Sequence, residues 1–362
     1  MSRPGLDTHP LELTPGWFNE LFAEMGVDAT VRSLTAKSIG TGQIGENVRF
    51  VFDYERAGAG APETLVGKFP SASEASLTTA KLLGHYMREV FFYRTFPKVA
   101  GRITPDALYT DYDEATNRFA LIMEDMAPAE QGDQLKGCGP EEAKVALSAA
   151  AVLHAAHWND AALDSYDWLQ GTAAAPPPAL APEMVAGLWG GFKERYAAHL
   201  TPDLIEVGDA YAASLPKWGA AYDGPFALTH NDFRLDNMLF APPGAKKPVA
   251  IVDWQTPGKG APANDVAYFI GAALTREERP KHEEALLRHY HGALAAEGIT
   301  DYSFEDLRTH YRWFSFYGIS VAFGAAMLVK QTERGDEMFL TMLRRHCAQV
   351  RDNDALELLA AL

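Results

Sequence analysis

Short β-patterned segments crowd into the first third of this 362-residue chain and nearly vanish afterwards, a segregation that leaves few folds open. "VRSLTAKSIG", "NVRFVFDYE" and "ETLVGKFP" are rich in β-branched and aromatic residues and are separated by glycine-rich turns. "TAKLLGHYMREVFFYRTFP" follows as one helix, with Leu82, Leu83, Tyr86, Val90 and Tyr93 near helical spacing. "DALYTDY" and "RFALIMEDM" then read as strands around the "DEATN" turn. Residues 30 to 126 are therefore expected as β-β-β-α-β-β, preceded by a lead-in helix in "GWFNELFAEMG". From "EEAKVALSAAAVLHAAHW" onward the pattern is mainly helical, interrupted by two strand patterns, "NMLF" and "VAIVDW". Strands and helices in separate runs predict an α+β chain of two lobes, 1–126 and 127–362, with a ligand site most naturally in the cleft between them.

Charge narrows the partners. With 32 Lys and Arg against 48 Asp and Glu, the formal net charge of −16 argues against nucleic acid, which needs clustered cations. An anionic small ligand would need a local cation or a metal. The two cysteines, Cys138 and Cys347, offer neither a disulfide framework nor metal-ligand spacing and fit a reducing compartment. The N-terminus has no apolar run of signal-peptide type, and the longest apolar segment, Gly318 to Val329, is too short to span a bilayer. The expectation is a soluble, cytoplasmic protein. Low complexity is confined to "GTAAAPPPALAP", read as an extended proline loop.

The densest chemistry lies in "LTHNDFRLDNMLF", residues 228 to 240, where apolar ends frame a His, two Asp, an Arg and two Asn. His230-Asn231-Asp232 followed by Asn237 has the H-x-D-x-x-x-x-N spacing of a phosphotransferase catalytic loop, the Asp orienting or accepting a hydroxyl proton and the Asn offering an oxygen to Mg²⁺. Asp253 ends the apolar strand "VAIVDW" and is well placed to hold a hard cation. Gly40, Gly42 and Gly45 spell G-x-G-x-x-G between two strands, a context for backbone amides over nucleotide phosphates rather than a dinucleotide fingerprint. Lys68 is the only Lys in an apolar strand, so it needs a partner; Glu89 on the next helix can supply one, and Glu74 competes. At the expected lobe junction, "LIMEDM" presents a strand edge at Glu124, Asp125 and Met126 that can serve an adenine ring or be a plain strand end.

In order and spacing these segments resemble the kinase-like phosphotransferases of small molecules: aminoglycoside phosphotransferases, choline kinases and especially the ecdysteroid kinase-like group. "GENVRF", "VGKFP", "EVFFYR", "IMEDM", "THNDFRLDNMLF" and "VDWQTPGKGAPANDVAYF" carry the likeness, from about Gly40 to Asp265. The resemblance implies a protein-kinase-like bilobal fold, with a small antiparallel β lobe and a larger helical lobe, and ATP with Mg²⁺ as cofactors. It implies Asp232 as base or orienter, Asn237 and Asp253 as metal ligands, Lys68 on the phosphates and Glu89 orienting Lys68. It further implies that Asp265 anchors the catalytic loop, that His230 braces it, and that Arg234 faces the γ-phosphate. Trp254-Gln255 stands where protein kinases have Phe-Gly, and about a dozen residues separate Asp253 from Asp265, too few for a long activation segment. The implied acceptor is therefore the hydroxyl of a small molecule rather than a protein. A nucleotide-binding module without catalysis and a nucleotidyl transferase are the rival readings.

Other features carry less. His154 and His157 sit three apart on a helix without a third ligand and read as packing residues. Asp111 and Asp113 read as a hairpin turn rather than a Ca²⁺ loop. Trp158, Trp168, Trp189, Phe192, Tyr196, Trp218, Trp313, Phe314, Phe316 and Tyr317 can line an apolar acceptor pocket or form core, and core is favoured for most.

Overall fold

A computed structural model describes residues 6, 8–40, 44–169 and 182–362. The chain divides into two compact units: Met1–Pro128 together with Val252–Gln255, and Ala129–Ile251 together with Thr256–Leu362.

In the first unit, helix α1 (Pro15–Glu24) is followed by strands β1 (Ala29–Ile39), β2 (Gly45–Ala57) and β3 (Thr64–Pro70). Helices α2 (Glu74–Leu83), α3 (His85–Thr95) and α4 (Pro97–Ile103) come next, and then β4 (Ala107–Asp113) and β5 (Arg118–Glu124). The strands form one antiparallel sheet in the order β1-β2-β3-β5-β4. Alternation along β2 buries Val48, Phe50 and Phe52 on one face, where Phe18 and Phe22 of α1 meet them in edge-on and tilted contacts. The lead-in helix is thereby tied to the sheet by its apolar stripe. At the β4–β5 hairpin, Asp113 Oδ1 accepts from the amides of Ala115 and Thr116 and so serves the turn, whereas Asp111 is buried in β4, accepts from the Tyr112 amide and pairs with Arg94.

The single helix expected across residues 79–97 is divided. Gly84 takes φ +67, a left-handed conformation that closes α2 and opens α3. Tyr86, Val90 and Tyr93 of the expected apolar face are buried on α3, whereas Leu82, on α2, is 77% exposed.

In the second unit, β6 (Glu130–Gln131) precedes α5 (Pro140–Ala155), α6 (Pro182–Arg195) and α7 (Pro202–Ala220). Short strands β7 (Ala227–Thr229), β8 (Met238–Phe240), β9 (Val249–Ile251) and β10 (Gly258–Gly260) lead into α8 (Pro262–Ala273). α9 (Arg279–Ala296), α10 (Phe304–Phe314), α11 (Tyr317–Leu328), α12 (Glu333–Asp352) and α13 (Leu356–Ala360) complete it. β8 pairs with β6 and β9, and β7 with β10, all antiparallel. The two expected strand patterns are β8 and β9; β6, β7 and β10 are two or three residues long, too short for a periodicity to register. Every residue of α8 is buried, and it packs against α5, α9, α10, α11 and α12. The α5 segment and the apolar α11 are helices as expected. Among the described residues no helix is long and apolar enough to cross a membrane. The "GTAAAPPPALAP" stretch lies outside the described residues except for its last proline.

Candidate active site

In the first unit a buried lysine gathers two carboxylates. Lys68 on β3 is 7% exposed, and its Nζ lies 2.7 Å from Glu89 Oε2 and 2.8 Å from Asp253 Oδ1. Glu89, on α3, is only 1% exposed and is the partner in preference to Glu74. Gln255 donates to the same Glu89 carboxylate at 3.5 Å. Burial opposes the Lys68 charge, but Asp253 and Glu89 outweigh it and hold the lysine above its ordinary pKa. Burial also pushes the Glu89 carboxyl up, against the pull of Lys68. Asp253 itself has φ +67, a conformation uncommon for a residue with a side chain. The next residue, Trp254, is fully buried and stacks on Phe92 of α3 at 3.7 Å and 4°, which fixes the strained turn from the side.

Gly45, at the start of β2, lies beside this cluster. A Cβ on Gly45 would come within 3.1 Å of Phe69 O and 3.3 Å of Lys68 Cε, a tight fit that any larger residue meets only if its neighbours give by a few tenths of an ångström. Gly40 takes φ +74 at the end of β1, and Gly42 lies outside the described residues. Tyr86, one turn before Glu89 on α3, donates to Ile44 O at 2.5 Å and so tethers the end of the turn. Farther along the sheet, Glu124 closes β5 with its amide on Asp106 O, and Asp125 is held by Arg49 at 2.7 Å. Met126 follows, partly buried.

The second unit carries the loop from Thr229 to Met238. Asp265, fully buried on α8, accepts from the amides of His230 (2.7 Å) and Asn231 (2.9 Å), while His154 Nε2 lies 3.2 Å from it. His154 also meets Tyr290 OH at 2.7 Å, and His157 pairs with Asp160 instead, so the two histidines serve different partners. The contribution of His154 is thus hydrogen bonding as well as packing. Asn231 takes φ +63, and all its polar groups are engaged: Nδ2 on Thr256 O, Oδ1 by Thr229 Oγ1, the amide on Asp265, and the carbonyl by Tyr317 OH. A residue in that region persists where its surroundings over-determine it, as they do here.

Asp232 is the focus of the loop. Its carboxylate accepts from Arg234 Nε (3.1 and 3.2 Å), Asn237 Nδ2 (2.8 Å) and Tyr268 OH (3.0 Å). Arg234 bridges onward through Nη1 to Asp236 at 2.7 Å, and Asp236 also receives the Gln134 amide and Arg334. Burial opposes the Arg234 charge, yet Asp232 and the other neighbours hold the guanidinium above its usual pKa. Sequence reasoning brought out Asp232, Arg234, Asn237 and Asp265, and weighed Tyr317 only as a pocket or core aromatic, not as a partner of the loop; it missed Tyr268, Gln134 and the linking role of Asp236. The signal for Tyr268 was a phenol inside a wholly apolar stretch of helix, since a buried hydroxyl must find a partner. Of the aromatic residues weighed for an acceptor pocket, Trp189, Phe192, Tyr196, Trp218, Phe314 and Phe316 are buried. Trp158, Trp168, Trp313 and Tyr317 are partly exposed.

A five-stranded antiparallel sheet whose third strand carries a Lys paired with a Glu of helix α3, and a helical unit presenting an Asp–Asn loop, are the parts of a kinase-like phosphotransferase. The sequence pattern of the phosphotransferase enzyme family matches residues 91–303, and the chain belongs to that family. It is a small-molecule kinase, an enzyme of the aminoglycoside phosphotransferase type. No curated protein sequence is significantly similar to it. Solved structures share the fold at low identity. An ethanolamine kinase of Plasmodium vivax is 13% identical with TM-score 0.55, over 92% of this chain and 87% of that one. The GDP complex of aminoglycoside 2′-phosphotransferase-IIIa is 15% identical with TM-score 0.51, over 93% and 99%. A choline kinase of Streptococcus pneumoniae is 12% identical with TM-score 0.52, over 91% and 97%.

Proposed function

We propose that the chain transfers the γ-phosphate of ATP, with Mg²⁺, to a hydroxyl of a small molecule. The observation that carries this reading is Asp232, a partly exposed carboxylate fixed by three side-chain donors on a loop that Asp265 pins from a buried helix. A carboxylate so held can orient an acceptor hydroxyl and take its proton as the new P–O bond forms. Arg234 keeps Asp232 and Asp236 apart and aligned. Lys68 has three N–H donors, two of them directed to Glu89 and Asp253, and the third would serve the phosphates. Gly40, Gly42 and Gly45 would bring backbone amides over the same phosphates. Glu124, Asp125 and Met126 would supply the backbone edge for the adenine.

Asn237 and Asp253 are proposed as the metal ligands. Both are oxygen donors, as Mg²⁺ requires, and the Asn237 amide nitrogen is given to Asp232, which leaves its carbonyl oxygen as the ligand atom. Mg²⁺ is commonly held by one or two protein oxygen donors together with substrate phosphates, so the phosphates would supply the remaining ligands. When bound, Mg²⁺ would neutralise charge on the β- and γ-phosphates.

The test is ADP release from Mg·ATP across choline, ethanolamine, aminoglycosides, macrolides, sterols and hydroxyacyl thioesters, with Asp232→Asn alongside. Acceptor-dependent ADP that falls at least about 100-fold in the variant supports the reading. Near-normal turnover in Asp232→Asn sinks it, and Mg·ATP binding with no transfer to any acceptor returns the chain to a nucleotide-binding module.

A further inference from the structure

We infer that Tyr268 is a positioning residue for Asp232, the group through which the buried helix α8 aims the carboxylate at the acceptor. The inference rests on the proposed role of Asp232 and adds a residue to it. Three donors reach the Asp232 carboxylate among the described residues, and they are not equivalent. Arg234 and Asn237 belong to the same loop as Asp232, two and five residues away, so their bonds to it are local; beyond those bonds Arg234 reaches Asp236 and the thioether of Met338. Tyr268 comes from α8, 36 residues away in the chain and buried along its whole length. Its hydroxyl therefore refers the carboxylate to the frame of the unit.

The same helix grips the loop twice. Asp265 and Tyr268 are three residues apart, neighbours on one helical face. Asp265 takes the amides of residues 230 and 231, which sets the backbone, and Tyr268 takes the side chain of residue 232, which sets its rotation. Backbone anchoring alone leaves a carboxylate free to turn about its own side-chain bonds. Tyr268 is itself held: its ring stacks on His346 at 5.6 Å and 13° and makes an edge-to-face contact with Tyr317 at 5.5 Å and 82°. Tyr317 in turn donates to the carbonyl of Asn231. Burial, the largest influence, and nearby Asp232 keep the Tyr268 phenol well above its usual pKa, so it remains a donor throughout the working pH range.

Tyr268→Phe removes one hydroxyl and keeps the ring and its stacking. Steady-state ADP release from Mg·ATP would be measured with water as acceptor and with any alcohol from the panel that turns over. Mg·ADP affinity by calorimetry and thermal melting are the readings independent of turnover. The expected result is a fall in kcat of about 10- to 100-fold, the loss typical of a hydrogen bond to a charged group, with KM for Mg·ATP and Mg·ADP affinity within about twofold of wild type. Unchanged kcat overturns the inference, and so does a fall in kcat matched by weaker nucleotide binding and early melting, which marks a structural role. Asp232→Asn, run in parallel, separates the two levels. If that variant is inactive, failure of the Tyr268 expectation falls on this inference alone. If it turns over normally, or wild type releases no ADP, the underlying role of Asp232 falls first and takes this with it.

Discussion

Replacing Lys68 with Met tests the buried charge cluster by leaving its carboxylates without their cation. Lys68 and Glu89 are 7% and 1% exposed, and their charged atoms are 2.7 Å apart. At an effective dielectric of about 20 that attraction is roughly 6 kcal/mol, most of it offsetting the desolvation of both groups. Removing one partner leaves the desolvation cost without the attraction, a loss of about 3–5 kcal/mol. The Asp253 side chain is 37% exposed, so solvent screens its share and it adds little to that figure.

The variant should also show a steeper pH dependence than wild type, in which Glu89 is already raised but Lys68 holds it back. In wild type the Lys68 pKa is raised above its ordinary 10.5, so its stabilisation is complete below that pH and lost only above it. Between pH 5 and 9 its contribution is constant. Without Lys68, burial and then the nearby Asp253 carboxylate push Glu89 up against the weak pull of Gln255, so its folded-state pKa lies further above the ordinary 4.5. A carboxyl raised in the folded state gives most stability at low pH and loses it as pH climbs from 4.5 through the raised value. The wild-type-minus-variant difference from urea unfolding should therefore widen as pH rises from 5 to 8. Glu89→Gln in the Lys68→Met background should restore most of the loss and flatten the curve. A cost under about 1 kcal/mol, or a flat difference curve for the single variant, would refute the reasoning, because it would mean that water already solvates the cluster.

Two further outcomes follow from packing and burial in the helical unit. A Cβ at Gly208 would lie 2.2 Å from the ring of Trp189, which is 3% exposed and donates to Asp209 at 2.7 Å, so Gly208→Ala should cost about 1–3 kcal/mol in thermal melting. His346 is fully buried, and burial lowers its pKa from 6.5 to about 4. A histidine depressed in the folded state lets the unfolded chain bind the proton first, so stability is lost as pH falls from 6.5 toward 4, by about 3 kcal/mol over that window. Unfolding of wild type and His346→Gln at pH 7 and pH 4.5 should show the difference shrinking at the lower pH; an unchanged difference rules out burial as its cause.

Much of this site could be read before folding because its geometry is local. Asp232, Arg234 and Asn237 lie within six positions, and their mutual bonds follow from one tight loop. The β-then-α segregation likewise determined the α+β class, since side-chain period is a property of consecutive residues. Lys68 advertised its need for a partner by being the one cation in an apolar strand. What needed the tertiary structure was every choice between partners distant in sequence. Glu89 rather than Glu74 meets Lys68 because Gly84 divides the expected helix and sets the direction of α3. Tyr268 and Tyr317 reach the loop because α8 and α11 pack beside it, and no periodicity reports which phenol meets which carboxylate. The strain at Asn231 and Asp253 is equally invisible in sequence, since a left-handed residue is held there by hydrogen bonds and stacking from elsewhere in its unit. Composition and period determined which elements form, whereas long-range packing alone decided where their polar groups point.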